Sequence, residues 1–308
     1  MSKESTDLIL QRIMKLHPKI IDLKLNRVQN LLKKLGNPEK KLPPIIHIAG
    51  TNGKGSTQAI IKSGLEADGK IVHAYTSPHL LRFNDRINLA GEAISEHHLN
   101  EILEECCQLN DGLPITYFEI TTVAAILAFS KVKADYCILE VGLGGRYDAT
   151  NIIDSNLSII TSIGIDHTEF LGTTIESIAM EKAGVMRPFS SCIYADRNPP
   201  SVLLSYAKNI GSNFLYNQND FSVKINDNSW SCSFGKKNII EFNDDNEAYL
   251  TIFKKNSYPI VSEENKIVLN KQLRIYREIR SPAELYSLYL SFRLCCLFEL
   301  CKPLSFEQ

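Results

Sequence analysis

The sequence predicts an α/β protein in which a mostly parallel sheet is flanked by helices, with short strands appended late in the chain. Three observations predict it. Strand-length apolar runs alternate with helical periods from about residue 45 to residue 190, one glycine-rich segment lies at the first strand-to-helix turn, and a second follows a later strand.

The elements follow in order. The opening, to about Leu35, has the 3.6-residue apolar period of one or two helices and is closed by Gly36-Asn37-Pro38. Pro43-Pro44 then starts the strand-like run Ile45 to Ala49, followed by GTNGKGST, a helical stretch QAIIKSGLEADG and a second run IVHAYT. That is a βαβ unit with its glycines at the first turn. A helix near FEITTVAAILAFSK precedes the strand ADYCILEV, the loop GLGGRYDATN, the strand NLSIITSIG and the helix TIESIAMEKAG. From Ser190 to about Asn270 the periods shorten, and CIYAD, NFLYN, FSVKIND and SWSCSF read as short strands appended to the main sheet.

Composition limits what such a fold can serve. With 308 residues, 44% of them hydrophobic, the chain can bury one large core or two smaller ones. A formal net charge of −1, without long runs of one sign, gives no reason to invoke nucleic acid or a lipid surface, so small-molecule chemistry is expected. The first residues mix Lys, Glu and Asp in an amphipathic pattern unlike a signal peptide, and no run of about 18 apolar residues follows. The eight cysteines lack paired CxxC spacing, and reduced thiols in a cytoplasm are expected.

The first glycine loop carries the clearest chemistry. In Gly50-Thr51-Asn52-Gly53-Lys54-Gly55-Ser56-Thr57, glycines let backbone N–H groups turn inward around phosphate oxygens. Lys54 adds a positive charge, and Ser56 or Thr57 offers a hydroxyl to Mg²⁺ at a helix N-terminus. The segment departs from strict GxxxxGK[ST], because Gly55 separates Lys54 from Ser56. A glycine-rich turn capped by Ser56 is the plainer alternative.

GTNGKGST, TSPHL (Thr76 to Leu80) with FNDRI (Phe83 to Ile87), TYFE (Thr116 to Glu119), GLGGRYDATN (Gly142 to Asn151) and GIDHTEFLGTTIESIAMEKAGV (Gly164 to Val185) occur in that order. In this order they resemble the motifs of folylpolyglutamate synthases and dihydrofolate synthases, the folate branch of the Mur ligase family. Asp85 departs from the glutamate usual there. An unrelated P-loop ATPase or small kinase would share the first motif but not EKAG, SPHL or the second glycine loop.

The resemblance implies a Mur ligase central domain and a two-step reaction. ATP phosphorylates the carboxylate of dihydropteroate or a folate, and the amine of L-glutamate displaces the phosphate to form an amide. It implies two Mg²⁺ ions, one on Ser56, Ser77 and Glu119 and another near His167 and Glu119, with Lys54, His167 and Lys182 in catalytic roles and Lys182 carried as a carbamate. Plainer readings stand beside these. Thr116 and Glu119 form the spacing of a capping box, His167 could hydrogen-bond a loop, and Lys182 near Gly184 could offset a helix dipole. Arg82 and Arg86 could meet the carboxylates of a folate-like ligand or be solvated.

The family continues into a second α/β domain marked by an HQ–N signal and by DGAHN, and neither appears in this chain. The expected organisation is therefore residues 1–270 as the ATP-binding central domain with N-terminal helices, and 271–308 as an atypical tail, for which a terminal helix or a shifted reading frame are both explanations. A non-catalytic nucleotide-binding remnant is the alternative function.

Overall fold

The computed structural model describes residues 5–226, 229–234 and 237–243, except Leu80. The expected boundary at residue 270 and the tail beyond it lie outside the described residues.

Helices α1 (Thr6–Met14) and α2 (Asn26–Lys34) form the opening, where one or two helices are expected. The chain then enters β1 (Ile45–Ala49), α3 (Lys54–Ala67), β2 (Val72–Tyr75), β3 (Ile87–Leu89) and β4 (Glu92–Ala93). Helices α4 (Glu96–Asn110) and α5 (Tyr117–Lys131) precede β5 (Tyr136–Glu140) and β6 (Leu157–Ile160). The short α6 (Thr168–Leu171) and α7 (Ile175–Ala183) lead to β7 (Ser191–Tyr194), α8 (Ser201–Ile210) and β8 (Asn213–Tyr216). Last come β9 (Phe221–Asn226), β10 (Ser229–Phe234) and β11 (Lys237–Asn243).

Eight strands form one sheet in the order β4-β3-β2-β5-β1-β6-β7-β8, and β9 to β11 form a separate antiparallel sheet. From β2 to β8 every pairing is parallel, and β3 and β4 extend one edge antiparallel. Two of the four strands expected as appendages, CIYAD and NFLYN, are instead integral parallel strands β7 and β8, joined through α8 as a further βαβ unit. Neither α8 nor α4 is among the expected helices; α4 begins where the Ser95 hydroxyl accepts from the His98 amide.

β1 is buried at every position, as a central parallel strand must be, which is why IIHIA lacks polar alternation. Register sets Ile45, His47 and Ala49 on one face with Cys137, Leu139, Ser158 and Ile160, and sets Glu140 on the other with Ile46 and Ile48. The first face packs on α5 and α7. Every residue of α5 from Glu119 to Phe129 is buried, because α1, α2 and α4 cover the side turned away from the sheet. A helix apolar all round needs such a double cover.

Candidate functional site

β5 and β6 lie on either side of β1, so the chain crosses over β1 between them, and the loops at their carboxyl ends meet the loop after β1. A crevice at such a crossover is the usual ligand position in open α/β sheets.

The 50–57 loop is held from the β6 side. Thr51 N–H donates to the Ser162 carbonyl at 2.9 Å, Asn52 N–H to Ser162 Oγ at 3.1 Å, and Thr161 Oγ1 donates to the Asn52 carbonyl at 2.6 Å. Thr51 Oγ1 also accepts from Gly164 N–H at 3.0 Å. Gly53 lies at φ +82° and releases the chain into α3, whose first turn is Lys54, Gly55, Ser56 and Thr57. Gly50 leaves no room for a Cβ, since one would overlap Thr161 Oγ1. Lys54 Nζ curls back to the Gly50 carbonyl at 3.0 Å, so its charge stands over the cradle of amides. Thr57 is buried and Ser56 half-buried.

Opposite that turn stands Glu140, the last residue of β5, paired in register with Ile48 and 4% exposed. Its Oε2 accepts from Thr76 Oγ1 and, at 3.2 Å, from Ser77 N–H. A Cβ on Gly55 would lie 3.7 Å from the same oxygen. Desolvation raises the Glu140 pKa, opposed by the Thr76 hydroxyl and by the charge of Lys54. The Ser77 hydroxyl is buried without a hydrogen-bond partner. A carboxylate, the Ser77 hydroxyl and an ammonium thus lie near the start of α3, whose first turn carries Ser56.

Glu119 makes the capping-box contacts that the plainer reading of TYFE offered. It closes the capping box by accepting from Thr116 N–H at 2.8 Å, and its two oxygens take three bonds from Arg27, the shortest from Nη2 at 2.8 Å. Arg27 also binds Asp22 at 2.7 Å, so Glu119 fastens the N-terminal segment to α5. The carboxylate brought to the loop is Glu140, which lies outside the motifs named above. Its signal was a lone acid ending an otherwise apolar strand directly before a glycine loop.

Lys182 is 3% exposed in α7. Burial first, and then the charge of Lys54, push its pKa down to about 8, with Asp166 opposing. Lys54 and Asp166 therefore each lie within electrostatic reach of Lys182. His167 is half-exposed beside Asp166 with a left-handed backbone, φ 50°, on the loop after β6. Arg86 is held between the rings of Phe83 and Tyr117, 5.3 and 5.9 Å from their centroids, and its Nε donates to His79 Nδ1 at 2.9 Å. Arg82 is exposed, and its amide donates to Asp85 at 2.9 Å, so the two arginines occupy different settings.

Among the described residues no group of three or more His, Cys, Asp or Glu side chains is placed to hold a metal ion. A cation here would draw on hydroxyls and phosphate oxygens besides one carboxylate, as Mg²⁺ commonly does.

A model of the Mur ligase middle domain matches residues 48–260. The chain belongs to the Mur ligase family, whose middle domain it carries. Within the family its likeness is to the folate enzymes, as the motif order implied. It is 38% identical over 218 residues to the dihydrofolate synthase/folylpolyglutamate synthase of Escherichia coli, covering 71% of this chain and 51% of that protein. The corresponding protein of Haemophilus influenzae is 40% identical over 224 residues, with 72% and 50% covered. Among solved structures, E. coli FolC in complex with DHPP and ADP matches with a TM-score of 0.74 at 32% identity, over 92% of this chain and 66% of that one. The Yersinia pestis bifunctional enzyme complexed with AMPPNP and Mn matches with a TM-score of 0.71 at 32% identity, over 92% and 65%. The chain spans about half the length of the curated relatives it matches. No helix among the described residues is long and apolar enough to cross a membrane.

Proposed function

We propose that this chain binds Mg-ATP on the 50–57 loop and belongs to an enzyme that ligates L-glutamate to dihydropteroate, to folate (poly)glutamates, or to both, through an acyl phosphate. The observation that carries the reading is the pairing of Glu140 with Ser77, whose buried hydroxyl lacks a partner at the N-terminus of the phosphate-loop helix. The relatives support the substrate class by name, two of their structures hold ADP or AMPPNP, and one of these also holds Mn.

The donors fit a hard cation: Glu140, Ser77 and Ser56 supply one carboxylate and two hydroxyls, and His167 with Asp166 are the donors available to a second. Bound Mg²⁺ would neutralise charge on the transferring phosphoryl group. The amides of 50–57 orient the phosphates and Lys54 offsets their charge. The carboxylate oxygen of the pterin substrate attacks the γ-phosphorus as ADP leaves. The glutamate amine then attacks the acyl carbon, phosphate leaves, and the amine proton is released. Arg86, already oriented by two rings, is the better placed of the two arginines to meet a substrate carboxylate, with Arg82 at the entrance.

Lys182 suits carbamate formation. A lysine titrating near pH 8 holds a substantial neutral fraction at neutral pH, and it is the neutral amine that adds to CO₂. The resulting anion would sit near Lys54 and remove the repulsion between the buried Lys182 ammonium and that of Lys54.

The test is ligation by the purified 308-residue chain with Mg-ATP, labelled glutamate and dihydropteroate or a folate. Pterin product that disappears in Lys54→Ala is expected. A folded chain that binds Mg-ATP and forms no product would restrict this polypeptide to nucleotide binding.

A further inference from the structure

Beneath the second glycine loop runs a buried chain of hydrogen bonds that begins in the core of the sheet. His47, in the middle of β1, is fully buried, and its Nε2 lies 2.8 Å from Thr150 Oγ1. Thr150 Oγ1 lies 2.6 Å from Asp148 Oδ1, and Thr150 N–H donates to the same oxygen at 3.0 Å. Asp148 Oδ2 accepts from Leu143 N–H at 2.9 Å. Asp148 is 2% exposed, so its carboxylate relies on these donors in place of water.

The direction of the chain follows from donor counting. Burial raises the Asp148 pKa, but the Thr150 hydroxyl and the Leu143, Thr150 and Gly142 amides all favour the carboxylate; ionised, Asp148 only accepts, so the one Thr150 hydroxyl proton goes to it and Thr150 Oγ1 accepts from His47. Burial pushes the His47 pKa down to about 3, leaving the ring neutral with its single proton on Nε2. His47 Nδ1 is accordingly bare and has no hydrogen-bond partner. Donation from His47 polarises the threonine hydroxyl and strengthens its bond to the carboxylate.

What the chain holds in place is the turn between two residues of the site. Leu143 is three residues after Glu140. On the other side of the same loop, Arg146 N–H donates to the Glu181 carbonyl at 2.8 Å, and a Cβ on Gly145 would lie 3.1 Å from Lys182 Cα. The loop therefore sets the spacing between Glu140 and Lys182.

We propose that His47 is a positioning residue: by donating to Thr150 and through it securing Asp148, it fixes the Gly142–Asp148 turn and with it the placement of Glu140 and Lys182 around bound Mg-nucleotide. The consequence for nucleotide rests on the function proposed above, whereas the securing of the turn does not. A glutamine at position 47 can place an amide N–H where Nε2 stands, and a leucine cannot.

The test uses the full chain with His47→Leu, His47→Gln, Thr150→Val and Thr150→Ser. Amide hydrogen exchange over residues 141–148 is expected to quicken in the Leu and Val variants and to return towards the parent in the Gln and Ser variants. ADP affinity with Mg²⁺ should weaken roughly fivefold in the first pair, as for loss of about one hydrogen bond, with Mg²⁺-free affinity unchanged. Unaltered exchange in folded His47→Leu would overturn the proposal, as would a folded His47→Gln no better than His47→Leu. Should His47→Leu not fold, the Thr150 pair decides on the same readouts. If the parent itself fails to bind Mg-ADP, the nucleotide reading and the placement claim fall together, and the exchange data still settle whether the turn is held.

Discussion

The Ser77 amide donates to Glu140 Oε2 at 3.2 Å, while the Ser77 hydroxyl, equally buried, bonds to nothing among the described residues. A desolvated hydroxyl without a partner costs about 1–3 kcal/mol, a cost that a cation binding there would offset.

Glu140→Gln should therefore abolish most of the Mg²⁺ dependence of nucleotide binding. The amide keeps an acceptor for Thr76 but loses the charge. Charge-assisted contacts are worth about 1.5–3 kcal/mol, so the Kd for Mg-ADP should rise about ten- to hundredfold by calorimetry, with Mg²⁺-free ADP bound as before. An unchanged Mg-ADP Kd would remove Glu140 from the cation site.

Glu119→Ala is expected to act on stability instead. It leaves Arg27, with a side chain 16% exposed, paired to Asp22 alone. Removing one partner of a buried pair costs about 3 kcal/mol or more, to be read as a lowered denaturant midpoint. The ratio of Mg-ADP to ADP affinity in the folded protein should not move, and a fall in that ratio would restore Glu119 as a cation ligand.

Gly184→Ala sets two effects against each other. At the end of α7, alanine gains up to about 1 kcal/mol in helix propensity. Its Cβ would, however, lie 2.5 Å from Arg146 Cα, a backbone atom that cannot rotate away. Overpacking of this kind costs about 1–3 kcal/mol, so net destabilisation is expected in chemical denaturation. A gain in stability would show that the glycine loop can yield.

Acid should unfold the protein partly through His47. Its pKa falls from 6.5 in the unfolded chain to about 3 in the fold, because burial penalises the charged ring. The unfolded state thus binds the extra proton between those values. The contribution is fully present above pH 6.5 and is lost as pH falls towards about 3, at up to about 1.4 kcal/mol per pH unit. His73, buried and also shifted down by desolvation, adds a loss of the same sign. In denaturation series between pH 7 and 4, His47→Gln should lose stability less steeply than the parent. Equal slopes would place the titrating group elsewhere.

Much of this arrangement was legible before any coordinates. The βαβ order, the loop at Gly50–Thr57 and the motif succession are local patterns. So is the largely apolar α5, whose composition calls for cover on both sides. Helix α4 is hard to see in the sequence because EHHLNEILEECCQLN opens with polar residues, and α8 because its ten residues fall between two short strands. CIYAD and NFLYN were recognised as strands, but their lengths carry no information about which sheet they join.

The amino-acid sequence by itself determined the class of this protein, its phosphate loop and its place in the folate branch, because each rests on residues adjacent in the chain. Only the tertiary structure decided which acid faces that loop. Glu119 and Glu140 both neighbour family motifs, but β5 pairs directly with β1 and carries Glu140 to the loop, whereas Arg27, 92 positions before Glu119, claims the other carboxylate. Strand order and long-range ion pairing are properties of the folded chain, and no local spacing encodes them.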